Sequence, residues 1–304
     1  MFIVKHRKIF YVIFAVLSLG SIFAIAFWGL KPGVDFTGGS LLEVAFEGEK
    51  PMVSEVNNVL AQMDNIGDFS VRPSGEGFII RSKEITQSEK DFILENLTFE
   101  NKYSPIEKTF SSVGPVLGKE AIQKSWLSIL MVLLAIVVFI AFAFRKVSKP
   151  ISSWVYGVVT VSALAHDVLI PTGVFAFLGF WSGVEVGTLF VTALLVILGF
   201  SVHDTIVVFD RVRENLRINE NQKNKKEFEV IVGESINQTI VRSLNTSITT
   251  LFAIFILYLI GPESIKNFAL VMLIGIVAGT YSSIFFASPL IVTINHWKEK
   301  RIKV

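Results

Sequence analysis

The sequence predicts an α-helical membrane protein: a bundle of six transmembrane helices carrying one small α+β domain outside the membrane. Three observations lead there. Of the 304 residues, 52% are hydrophobic, with a mean hydropathy of +0.59, and they come in long blocks instead of alternating with polar residues. A run of about 20 apolar residues is what the hydrocarbon core of a bilayer requires. Lysine and arginine cluster in alternate connections between those blocks, and one long polar stretch follows the first block with the pattern of a folded domain.

The expected spans are Ile9–Trp28, Trp126–Phe144, Trp154–Phe180, Gly187–Phe209, Ser247–Ile260 and Phe268–Ile294, the fifth starting earlier, near Val241. The first follows Lys5, Arg7 and Lys8 as a signal peptide would. It is too long for a signal-peptide core and ends in Phe27-Trp28-Gly29 without a small-x-small cleavage site, so it is expected to be retained.

Charge sets the orientation. Basic residues occupy the N-terminal tail, the turn with Arg145, Lys146 and Lys149, the loop with Arg211, Arg213, Arg217, Lys223, Lys225 and Lys226, and the tail with Lys298, Lys300, Arg301 and Lys303. The intervening loops Trp181–Val186 and Gly261–Asn267 carry only Lys266 between them. The basic face is cytoplasmic, so both termini are expected inside a multi-pass chain of the cytoplasmic (inner) membrane. The division is residues 1–29 as N-terminal tail and first span, 30–124 as the extracytoplasmic domain, and 125–304 as the remaining bundle, with a cytoplasmic loop at 210–241 and a cytoplasmic tail.

Within 30–124, Leu41–Glu47 reads as a strand, and Pro51–Met63 as a helix with Val56, Val59, Leu60 and Met63 on one face. Phe69–Arg72 and Phe78–Arg81 read as strands joined by a Pro73–Gly77 loop. Thr86-x-x-Glu89 is a capping box opening a helix through Leu97, and Tyr103–Val113 is again strand-like. The order β-α-β-β-α-β is ferredoxin-like. It names no ligand.

Composition excludes several chemistries. Without cysteine there is no disulfide or thiolate site, and the four histidines lack metal-ligand spacing, so no metal or cofactor is expected. A net charge of +2 gives no reason to expect a nucleic-acid partner.

Ionisable groups inside a span cost about 2.5–3.5 kcal/mol or more and persist where a bundle interior, a partner charge or water compensates. Three places qualify: His166-Asp167 in the third span, His203-Asp204 in the fourth, and Arg242 at the fifth, where Arg242, Asn245, Thr246 and Thr249 share a helical stripe. Each is either an interhelix hydrogen bond or part of an ion relay. Asp204, deep and beside a second titratable group, favours the relay, with Arg242 as its natural opposite charge. Asp210, Arg211, Arg213 and Glu214 read as a solvated helix end. Gly275 and Gly279, one helical turn apart, read as close packing, with hydroxyls following at Thr280-Tyr281-Ser282-Ser283.

The fourth-span segment from Gly199 through His203-Asp204 to Asn215 resembles the signature of the SecF family of protein-export membrane proteins. Other stretches agree in order: Val34-Asp35-Phe36-Thr37-Gly38-Gly39 after the first span, Val113-Gly114-Pro115 before the second, Ala165-His166-Asp167 in the third, Gln238–Ser247 at the fifth and Gly279–Pro289 in the last. The fourth-span signature and the chain length point to SecF and not to SecD or a fused chain. His203 stands where the family often has asparagine, which leaves imidazole as a candidate relay member and the coupling ion open. Gly187 stands where the family often has Asp or Asn.

The resemblance implies half of a body similar to the resistance–nodulation–division (RND) transporters. It implies SecD, the SecYEG channel, other membrane-insertion factors, the translocating preprotein and the lipid bilayer as partners, and a transported proton or sodium ion. The function implied is use of the ion gradient to assist late steps of export after the SecA ATPase has acted. It implicates Asp204 and Arg242 in ion transport, with His203, His166 and Asp167 as further candidates. The turn at Asp35–Gly39 and the Gly114-Pro115 pair carry a structural role, a joint in which the glycines supply permissive backbone. Two other classes compete: a small-molecule efflux subunit of the RND type, for which the outer domain is small, and an intramembrane protease or lipid transferase, for which no serine, cysteine or metal cluster surrounds His203-Asp204. No catalytic residue is expected.

Overall fold

The computed structural model describes residues 2–63, 66–143, 151–223 and 225–302. Phe144 at the expected end of the second span, the basic turn Arg145, Lys146 and Lys149, and Lys303 of the tail lie outside the described residues. The chain forms two compact units, Met1–Lys31 with Leu127–Val304, and Pro32–Trp126.

The helices of the first unit are α1 (Phe2–Lys5), α2 (Arg7–Trp28), and, following the second unit's α3 to α5, α6 (Pro115–Ala143, shared between the units), α7 (Ser153–Ser182), α8 (Thr188–Glu220), α9 (Phe228–Ile260), α10 (Glu263–Tyr281), a π-helical segment Ser282–Ala287, and α11 (Ser288–Ile302). Among the described residues six helices are long and apolar enough to cross a membrane. The chain is a multi-pass membrane protein. The interior belongs to α7, α8 and the last span, of whose most apolar stretch 61% is buried, against 6% for α6. Tyr156, Ala163, Phe209, Ile284 and Ile291 lie at the centre of one buried cluster.

The spans run past their apolar windows. The stretch 210–241, expected as a loop, is mostly a helical hairpin: α8 continues to Glu220 and α9 begins at Phe228. Two causes are visible. Arg, Glu, Leu and Asn at this end can continue a helix in water, and the extended arms are tied to each other. Asn215 Nδ2 donates to Ser235 Oγ at 2.8 Å and to Gln238 Oε1 at 2.9 Å, and Arg211 Nε donates to the same Gln238 oxygen at 2.6 Å. The second span likewise opens early, at Pro115, whose fixed φ suits the first helical position.

In the second unit, α3 (Val34–Thr37) leads into β1 (Gly39–Phe46), α4 (Val53–Ala61), β2 (Ser70–Ser74), β3 (Gly77–Ser82), α5 (Gln87–Asn96) and β4 (Pro105–Val113). The sheet is antiparallel throughout with order β2-β3-β1-β4, the ferredoxin-like arrangement. Leu42, Val44 and Phe46 alternate inward and share a core with Val56 and Leu60 of α4, Ile93 of α5 and Leu97 at its C-terminal end. The capping box forms as expected: Thr86 Oγ1 accepts from the Glu89 amide, and the Thr86 amide donates to Glu89 Oε2 at 2.7 Å. The Pro73–Gly77 stretch is not a loop. Ser74 pairs with Gly77, so the turn is only Gly75-Glu76, with Gly75 at φ +51°. Pro73 lies within β2, where an edge strand tolerates its missing donor.

Candidate functional site

An α-helix turns about 100° per residue, so neighbours in sequence leave it on different sides. That geometry separates the pairs expected to act together. Asp204 points into the bundle and is 3% exposed, whereas His203 faces out. On α9, Ser243 points in and Arg242 out. Ser243 and Ser247 face the Asp204 carboxylate, yet Asp204 Oδ2 and Ser243 Oγ are buried without a hydrogen-bond partner. A buried carboxylate oxygen left without a hydrogen bond costs free energy in an apolar surrounding, and the Ser243 and Ser247 hydroxyls are the donors that stand nearest to it.

Asp204 and Arg242 form no ion pair among the described residues. The stripe Arg242, Asn245, Thr246 and Thr249 is exposed and lies on the outside of this chain's bundle, with the threonine hydroxyls donating back to Arg242 O, Asn245 O and Thr246 O. The polar face that α9 turns inward is a different one: Ser235, Thr239, Ser243 and Ser247, spaced by four and all buried. Ser247 Oγ bonds Thr280 Oγ1 of α10 at 2.7 Å. That four-residue period is present in the sequence and is the signal that would have found this face.

Beyond Asp204 a cleft of about 300 Å³ opens between α8 and α9, lined by Asp210, Arg211, Glu214, Gln238, Thr239 and Arg242. Its rim is the solvated helix end expected from sequence. Asp210 pairs with Arg213 at 2.7 Å and Arg211 with Glu214 at 2.6 Å. The cleft runs from that rim to Arg242 on α9 and Val207 on α8, and Val207 follows Asp204 by three residues, about one helical turn.

His166 and Asp167 occupy a separate place, wholly inside the bundle. His166 is 2% and Asp167 0% exposed, and His166 Nδ1 lies 3.0 Å from Asp167 Oδ1. Asp167 Oδ2 accepts from Ser201 Oγ of α8 and, at 2.8 Å, from Ser282 Oγ of the π-helical turn. The imidazole stacks on Phe14 at 4.1 Å between ring centres. Ser201 and Ser282 as partners of Asp167 escaped the sequence reading, because hydroxyls on distant helices carry no local pattern.

In the second unit the two glycine motifs meet. Gly38 has φ +77°, and a Cβ there would come 2.8 Å from Pro115 Cα. A Cβ on Gly118 would come 2.7 Å from Phe36 O. Thr37 Oγ1 donates to Gly33 O at 3.0 Å, and Phe36 is buried. The turn Asp35-Phe36-Thr37-Gly38-Gly39 thus packs on Gly114-Pro115 and the first turn of α6, backbone against backbone.

Comparison with known proteins agrees with this architecture. The family described as protein export membrane protein SecD/SecF, C-terminal, matches residues 93–297, and the SecD/SecF GG motif matches residues 23–49. The protein translocase subunit SecF of Thermobaculum terrenum is 41% identical over 98% of this chain and 94% of its own length. That of Vibrio alginolyticus is 36% identical over 97% and 90%. The crystal structure of SecDF, a translocon-associated membrane protein from Thermus thermophilus, superposes with a TM-score of 0.79 at 26% identity, covering 97% of this chain. This chain spans 38% of that SecDF chain.

Proposed function

The chain belongs to the SecD/SecF family of protein-export membrane proteins, and we propose that it acts as the SecF half of an ion-driven accessory to protein translocation. In this reading it is not an enzyme. It pairs with a SecD-type chain, associates with the SecYEG channel, and uses a proton or sodium gradient to assist passage of a preprotein, which the ferredoxin-like unit engages on the outer side. The lysine and arginine distribution supports an inner-membrane orientation with both termini cytoplasmic.

The observation that carries the reading is the pair of opposed facts at the α8–α9 contact: a buried Asp204 with an unpartnered oxygen, and Arg242 beside it turned outward. A guanidinium turned toward lipid is costly, by about 2.5–3.5 kcal/mol on insertion scales where it lies at the bilayer centre. A SecD-type half covering the face of Arg242, His203, Asn245, Thr246 and Thr249 removes that cost. An ion entering through the α8–α9 cleft and binding Asp204 draws on about 2.3 kcal/mol per charge per 100 mV of membrane potential. That suffices to bias a two-state arrangement of the two halves.

The test is Asp204→Asn in vesicles containing the chain, its SecD-type partner and the channel. Gradient-dependent stimulation of export is lost while the variant still folds and co-purifies with the partner. Undiminished stimulation removes the mechanism.

A further inference from the structure

The buried carboxylate that this reading does not use is Asp167. A carboxylate offers about four acceptor positions; three are engaged here, one by His166 Nδ1 and two by the hydroxyls of Ser201 and Ser282. The groups facing the pair come from three elements. From α2 comes Phe14, with Tyr11 turned away to bond Thr293. From α8 come Ser201 and Thr205, with Asp204 turned toward α9. From the last span come Ser282, Ser283 and Tyr281, whose hydroxyl donates to Phe10 O. No lysine or arginine of the described residues pairs with Asp167.

Charge balance then decides the occupant. With a single shared proton the pair is net negative at 0–2% exposure, which costs several kcal/mol in a dry interior. A second proton makes it neutral, as imidazolium–carboxylate or as imidazole–carboxylic acid. A metal ion does not fit. The hydroxyls already touch Asp167 at hydrogen-bond distance, and Ser282 Oγ also reaches Gly279 O at 3.1 Å. His166 Nε2 is buried without a partner.

We propose that the His166–Asp167 dyad is a second, wholly internal proton-binding site, whose proton occupancy controls how the π-helical turn of the last span is held against α8. It rests on the ion-driven reading above and deepens it by naming the proton as an ion this chain holds itself.

The coupling is built into the surroundings. Ser282, which holds Asp167, is the first residue of the π turn Ser282–Ala287, where the helical ladder changes register. Ser283 Oγ bonds Thr205 Oγ1 at 2.8 Å and donates to Ser201 O at 3.2 Å. Gly279 lets the span come this close, since a Cβ there would lie 2.9 Å from Ser201 Cβ. Ser201 is three residues before Asp204 on α8, and Thr280 bonds Ser247, which faces Asp204 from α9. Deprotonating the dyad leaves a charge that tightens the hold of Ser201 and Ser282 or draws in water. Either change moves the segment that packs against the Asp204 site.

The full chain in lipid bilayers provides the test. Infrared detection of a protonated carboxyl and nitrogen NMR of the imidazoles count the protons on the dyad, with signals assigned by their loss in Asp167→Asn and His166→Gln. Two protons at neutral pH, one released reversibly as pH rises, is the expected result. A single proton at every pH, on neutral imidazole beside ionised Asp167, overturns the proposal and leaves a structural tie. In translocation vesicles Asp167→Asn, which keeps an acceptor for both serines, loses gradient-driven stimulation, and Asp167→Glu restores part of it. If Asp204→Asn loses stimulation and Asp167→Asn keeps it, the dyad proposal falls and the ion-driven reading stands. If both keep it, that reading falls and the proton count alone judges the dyad.

Discussion

Gly173 of α7 lies directly against Ser21 of α2, so close that a Cβ on the glycine would come 2.6 Å from Ser21 Cα. The atoms in the way are Ser21 Cβ and Cα, which no rotamer change can move. Between lipid-facing helices the hydrophobic effect gives no drive for association, and small residues that permit close approach supply the packing instead.

Gly173→Ala therefore forces α2 away from α7. Overpacking of this kind costs typically about 1–3 kcal/mol, so the unfolding midpoint of the purified chain falls. Gly199→Ala, where a Cβ meets nothing within 4 Å, is the control expected to leave it in place. Equal midpoints for the two variants would show that the helices slide apart at little cost.

Gly118→Val drives a side chain into Phe36 O and Gly38 N, which lie 2.7 and 3.0 Å from where its Cβ must go. The turn Asp35–Gly39 should lose its seat on α6 while the sheet stays folded. Amide exchange reads this directly: the Gly38 N–H, bonded to Val34 O at 2.9 Å, should exchange faster, and the amides of β1 and β3 should not change.

Thr86→Ala removes the N-cap of α5 and should cost about 1 kcal/mol, read from exchange at its first turn. The cap also predicts a pH response. The Thr86 backbone N–H, and secondly its hydroxyl, bond Glu89 and hold its carboxyl below the usual glutamate range. A lowered value means stabilisation that is present above the unfolded-state value and lost as pH falls through the folded one. Protection of α5 should therefore decline on acidification in the native chain and be flat over that window in Glu89→Gln.

Ser247 and Thr280 join α9 to α10 through one hydroxyl pair. A double-mutant cycle with Ser247→Ala and Thr280→Val should give a coupling of about 0.6 kcal/mol and not above about 1.7. The low end is expected because each hydroxyl has one proton, so the one that donates across gives up the carbonyl of its own helix, Ser243 O at 2.9 Å or Ile276 O at 2.8 Å. Zero coupling would mean that water replaces the pair without loss.

Much of the architecture is written in local pattern. Six apolar blocks of bilayer length make six spans whatever surrounds them, because backbone groups in lipid can be satisfied only within a helix or a closed barrel. Thr86-x-x-Glu89 closes its capping box from its own residues, and the period-two and helical patterns of the second unit yield the β-α-β-β-α-β order. Local pattern failed where polar residues kept helix going past the apolar window, at 210–241. It failed again where a two-residue turn absorbed less chain than Pro73–Gly77 suggested.

The candidate site divides along the same line. That Asp204, Arg242, His203, His166 and Asp167 are out of place in lipid follows from residue type and position alone. Which of them meet does not, since a span is apolar toward lipid and toward its neighbours alike, and hydrophobicity leaves its rotation about its own axis unspecified. Only packing of small residues such as Gly173, Gly275 and Gly279 against facing helices settles that rotation. Gly275 and Gly279 pack on Ile197 and Ser201 of α8, the helix on which Asp204 turns inward, and the same packing brings Ser201 and Ser282 from distant parts of the chain onto the carboxylate of Asp167.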